Sequence, residues 1–83
     1  MLNTYQLQVR TQCPVTDGET DLYQVTITSE SIIEVERILA FFAKYMDQKI
    51  FQEELTRRAA TGLGAKVESI GIHSGVIVKC CAP

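Results

Sequence analysis

The spacing of apolar residues changes from two to about three and a half and back to two along the chain, and this narrows the fold more than any other feature. Tyr5, Leu7, Val9, Thr11 and Cys13 fall on one parity, and Thr4, Gln6, Gln8, Arg10 and Gln12 on the other. Successive side chains of a strand point to opposite faces, so this stretch reads as a half-buried strand. Pro14 withholds a backbone donor and Asp17-Gly18 suits a turn. Tyr23, Val25 and Ile27 against Gln24, Thr26 and Thr28 then resume the alternation, so a second strand returns as a long-looped hairpin.

Helical spacing comes next. Ser31 with Glu34 has the form of a capping box, and Val35, Ile38, Leu39, Phe42 and Met46 recur at helical intervals, predicting a helix from about Ile32 to Met46. Asp47 can cap a second helix in which Ile50 or Phe51, Leu55, Ala59 and Leu63 form the stripe, with Gly62 and Gly64 as its stop. Lys66 to His73 and Val76 to Cys80 read as strands joined by a Ser74-Gly75 turn. The expected fold is α+β in the order ββααββ, a four-stranded antiparallel sheet with two helices on one face. The adjacent aromatics Phe41, Phe42 and Tyr45, with Met46, suit core packing or a subunit interface.

With 83 residues the expectation is a single domain, residues 1–83, with a small core and a partner subunit to supplement it. The formal net charge of −2, with no run of like charges, argues against binding to nucleic-acid backbones or anionic membranes. No basic cluster with an apolar stretch opens the chain and no segment is apolar for long enough to span a bilayer, so a cytoplasmic protein is expected. The three cysteines, two of them adjacent, do not make a disulfide framework, which leaves Cys13 free for chemistry or packing. His73 with Cys80 and Cys81 invites a zinc reading, but adjacent cysteines in a strand face opposite ways and paired ligand spacing is lacking, so no metal is assigned.

The candidate chemistry lies in two segments. Cys13-Pro14-Val15-Thr16 closes the first strand and leads to Asp21, and Phe51-Gln52-Glu53 lies at the second helix. These segments and the element order resemble the tunnelling fold, and within it the 7-cyano-7-deazaguanine (nitrile) reductase group, over roughly Gln12 to Val78. That group carries a Cys-Pro-x-Thr stretch, a nearby aspartate and a Phe-His-Glu segment. The resemblance implies a covalent thioimide between Cys13 and a deazaguanine nitrile, Asp21 as proton donor and Glu53 as the ligand's anchor. It further implies a homo-oligomer with intersubunit sites, and a place in queuosine- or archaeosine-type modification of a tRNA base.

The departures from the group are equally specific. Its aspartate comes one residue sooner, which keeps Glu19 open beside Asp21, and Gln52 replaces its histidine. Ile72-His73-Ser74-Gly75-Val76 stands roughly where it has an arginine and paired glycines. Its NADPH segment, Glu-Ser-Lys-Ser-Leu-like, is here Glu34-Val35-Glu36-Arg37-Ile38, with a carboxylate where the lysine would receive a phosphate. The product could therefore arise by amidation, as in the amidine-forming relatives, rather than by reduction.

The chemistry is also plausible from the residue types alone. A thiolate adds to an electrophilic nitrile carbon if an acid protonates the nitrogen. A carboxylate can meet two adjacent N–H donors of a purine-like or pterin ring with two parallel hydrogen bonds. Glu53 is the expected anchor and Glu54 its competitor. The contrasting expectation is a non-catalytic module of the same fold, kept for assembly or partner binding, with Cys13 packed and Glu53 solvated.

Overall fold

The computed structural model describes all residues, Met1–Pro83. The two-residue period becomes β1 (Asn3–Gln12), β2 (Thr20–Ser29), β3 (Lys66–His73) and β4 (Val76–Ala82), and the helical spacing becomes α1 (Val35–Ala43) and α2 (Gln52–Leu63). All pairings are antiparallel, and the sheet order is β1-β2-β3-β4. The expected ββααββ order is therefore present, with both helices inserted between neighbouring strands.

β1 and β2 pair along their whole length, from Asn3 opposite Ser29 to Gln12 opposite Thr20. β2 and β3 pair from Thr28–Lys66 to Gln24–Ile70. Val9, Tyr23, Val25, Ile27 and Val67 are buried on one face, where Leu55, Ala59 and Leu63 of α2 and Ile38, Phe41 and Phe42 of α1 complete a single core. Burial of apolar side chains is the main favourable term for so small a domain. Phe41 and Phe42 stack edge to face at 5.1 Å, so the aromatic run belongs to the core.

Four local expectations are corrected. α1 begins at Val35, not near Ile32, because the Ser29 hydroxyl accepts the Ser31 amide and Glu34, the would-be third residue of a capping box, is itself the N-cap. Val35, Leu39 and Met46 are exposed, and the inward stripe is Ile38, Phe41 and Phe42. Asp47 caps no helix. Its backbone is left-handed (φ 60), its amide bonds Arg10 O, and its carboxylate takes two hydrogen bonds from the Arg10 guanidinium at 2.9 and 3.2 Å. Finally, Gly62 lies within α2 against Phe41, so Gly64 alone, at φ 64, ends the helix.

The Arg10–Asp47 clasp has a long reach. With the hydrogen bond from Gln12 N to Gln48 O at 2.9 Å and the Gln12–Lys49 bridge, it fastens the connection between the helices along β1. This brings the N-terminus of α2 to the end of β1, beside Cys13. The Ser74-Gly75 turn has positive φ at both residues (51 and 82), as a tight two-residue hairpin requires. No helix is long and apolar enough to cross a membrane.

Candidate active site

Cys13 is the first residue past β1. Its amide bonds Glu19 O at 2.9 Å, closing the loop, and its sulfur accepts the Thr16 amide at 3.4 Å, so the half-buried thiol is held at the loop's neck. Asp21 is an inward member of β2, only 8% exposed, and Oδ2 accepts a hydrogen bond from the Tyr23 hydroxyl at 3.2 Å. Burial raises the Tyr23 phenol well above its usual value, and the Asp21 carboxylate adds to that rise. Tyr23 therefore stays a neutral donor.

The hub of the site is Gln52, at the first turn of α2 and 1% exposed. Its amide nitrogen lies 3.2 Å from Ser69 O, 3.1 Å from Ser69 Oγ and 3.0 Å from Val78 O, and its oxygen lies 2.9 Å from His73 Nε2. Thr56 reinforces this arrangement: its hydroxyl lies 2.7 Å from Gln52 O and 2.6 Å from Ser69 Oγ. A buried polar group is tolerable when all its partners are present, and this one is well provided. The small inward residues Ser69 and Gly71 of β3 make the room that the amide fills.

His73, the last residue of β3, turns its other nitrogen toward Asp21, with Nδ1 to Oδ1 at 3.7 Å. The β2–β3 register, continued past Gln24, brings Tyr23 over Gly71 and Asp21 to His73. Cys13, Asp21, Tyr23, Gln52, Glu53 and His73 all line one cleft of about 220 Å³, with Phe51 and Val78 among its apolar walls. The three residues singled out from sequence, Cys13, Asp21 and Glu53, thus share a cavity although they come from a loop, a strand and a helix.

The two alternatives separate. Glu54 is held by Arg57 and, at 2.8 Å, by Arg58, and faces a different groove. Glu19 is exposed and lines only an adjoining depression, whereas Asp21 lines both. Glu53 sits in the first turn of α2, where the helix dipole favours a carboxylate, and the Cys80 sulfur lies 3.9 Å from Oε1. Burial first, and then Glu53, raises the Cys80 thiol above its usual value.

His73 and Tyr23 are the members of the site that sequence reasoning does not place, and Gln52 is placed only as the stand-in for a histidine. The zinc reading pairs His73 with Cys80 or Cys81, but the ring engages Gln52 and Asp21, and no three His, Cys, Asp or Glu side chains gather as a metal site would require. The available clue is parity, since Val67, Ser69, Gly71 and His73 share the inward face of β3.

The fold is similar to that in the crystal structure of the archaeosine synthase QueF-Like in the apo form, with a TM-score of 0.82 over 98% of this chain and 90% of that one, at 19% sequence identity. The chain has the tunnelling fold. No family model matches the sequence, nor does any curated protein. At this identity the likeness concerns architecture, so the roles of residues in this tunnelling-fold chain rest on their chemistry in the cleft.

Proposed function

We propose that the cleft binds a 7-cyano-7-deazaguanine-like nitrile and forms a covalent thioimide at Cys13, in the modification of a tRNA base. The observation that carries the reading is the convergence of Cys13, Asp21 and Glu53 on one cavity. The Cys13 sulfur adds to the nitrile carbon. Asp21 supplies the proton to the nitrogen, and Glu53 receives the paired N–H donors of the ring. Supporting the substrate class, the similar structure is that of an archaeosine synthase.

The segment expected to meet NADPH does not fit it. Glu36 places a carboxylate in the first turn of α1, and the Arg37 guanidinium donates to Gly62 O at 3.0 Å. The better continuation is an amine adding to the thioimide carbon and expelling the Cys13 thiol, which regenerates the free cysteine and leaves an amidine. A second copy could pair along β4, an outermost strand of the sheet.

The test is a binding titration of wild type, Glu53→Gln and Glu54→Gln with 7-cyano-7-deazaguanine and with a pterin. The wild type should bind the deazaguanine, and Glu53→Gln should lose about 2 kcal/mol or more, since an amide offers one acceptor and an opposing donor. A loss confined to Glu54→Gln would overturn the anchor. Binding of neither ligand by a folded wild type would favour a non-catalytic module.

A further inference from the structure

We propose that Asp21 and His73 act as one proton-sharing pair, with His73 as a positioning residue whose tautomer is set by Gln52. This rests on the thioimide reading for its use, but the pair itself follows from hydrogen-bond chemistry. The Gln52 amide cannot be turned over: its nitrogen faces the carbonyl oxygens of Ser69 and Val78, which only accept, and a flip would set oxygen against oxygen. Gln52 Oε1 is therefore the atom that meets His73 Nε2 at 2.9 Å, so Nε2 must carry a hydrogen.

The consequence falls on the other ring nitrogen. In the neutral ring Nδ1 holds the lone pair, and it faces Asp21 Oδ1 at 3.7 Å. A bare nitrogen and a carboxylate at that distance repel, and one proton on either of them relieves the repulsion. Asp21 Oδ2 already accepts from the Tyr23 hydroxyl, so the shared proton lies between Oδ1 and Nδ1. The other ionisable groups lining the cleft are Cys13 from the loop and Glu53 from α2. From β4, Val78 lines the cleft, and the raised Cys80 thiol lies beside Glu53.

The pair balances the addition step. The Cys13 S–H proton passes to the pair as sulfur bonds to the nitrile carbon. The pair returns a proton to the nitrile nitrogen, and the net change is addition of S–H across C≡N with nothing oxidised or reduced. His73 thus acts through Asp21, holding a proton within the pair at that end of the cleft.

His73 is the chain's one histidine, so its ring nitrogens can be followed without ambiguity by long-range ¹⁵N–¹H NMR on the intact protein. The neutral ring should carry its hydrogen on Nε2 and leave Nδ1 bare. Asp21→Asn should shift the Nδ1 resonance, and Gln52→Leu should release the tautomer. In nitrile addition, His73→Gln should slow adduct formation at least tenfold and change its pH profile. A neutral His73 protonated on Nδ1, or an Nδ1 resonance untouched by Asp21→Asn, would overturn the pair whatever the nitrile does. A wild type that forms no adduct but shows the expected tautomer and Nδ1 response would support the pair and overturn the thioimide reading instead.

Discussion

The ring of Tyr23 lies directly over the backbone of Gly71: a Cβ on Gly71 would come within 2.5 Å of Tyr23 Cδ1 and 2.7 Å of Cε1. Tyr23 is 1% exposed and its hydroxyl holds Asp21, so the ring cannot move aside without disturbing the cleft. Gly71→Ala gains some strand propensity, but overpacking dominates. It should destabilise the protein by about 1–3 kcal/mol in urea unfolding. An unchanged midpoint would mean that the Tyr23 ring is free to shift.

The Cys80 sulfur and Glu53 carboxylate, 3.9 Å apart, allow a test of Glu53's placement without any ligand. Burial and the neighbouring negative charge both disfavour the thiolate, the attacking species in alkylation. Glu53→Gln removes the charge and should speed alkylation of Cys80 near neutral pH, as read by peptide mass analysis. Cys81, on the opposite parity, should keep its rate. Equal rates for Cys80 in both proteins would place Glu53 elsewhere.

Tyr23 gives an alkaline limit. Its folded pKa is raised, by burial first and by Asp21 second, above the ordinary phenol value of 10.0. The folded state therefore binds the phenolic proton more tightly than the unfolded one. This contribution is fully present below about pH 10 and is lost as pH rises toward the folded value. In a Cys80→Ser background, which removes a second raised group starting from 9.0, urea midpoints should fall above about pH 10, and Tyr23→Phe should flatten that fall. A fall of the same steepness in Tyr23→Phe would contradict the assignment.

The sheet face away from the helices carries Leu22, Ile70, Ile72 and Ile77, which are 53%, 39%, 66% and 70% exposed, and β4 leaves an unpaired edge beside them. An open edge next to an apolar patch invites pairing with another copy. Sedimentation should find a symmetric homo-oligomer, and Ile77→Lys should shift it toward monomer. A wild-type monomer at micromolar concentration would contradict this.

The strands are legible in the sequence because one covered sheet face imposes strict alternation, as at Tyr5 to Thr11 and Tyr23 to Ile27. Gly64 and Ser74-Gly75 are legible because positive φ selects residues of their kind. What is hidden is tertiary. Asp47 reads as a cap but is drawn to Arg10, thirty-seven positions away, and Ser31 loses the capping role to a local Ser29 bond. Gln52 reads only as the residue standing where the resembled group has a histidine. Its partners, two strand carbonyls and a histidine, exist only once β3 and β4 are in place. Cys13, Asp21 and Glu53 stand out singly by residue type and motif, and only the fold brings them to a shared cleft.

Thioimide formation at Cys13 can be read directly by intact-mass analysis of the chain after incubation with 7-cyano-7-deazaguanine. Addition of a thiol to a nitrile expels nothing, so the wild type should gain the full mass of the nitrile once, and Cys13→Ala, which should fold normally, should gain none. A folded wild type that gains no mass, or an adduct that survives Cys13→Ala, would contradict covalent chemistry at this thiol.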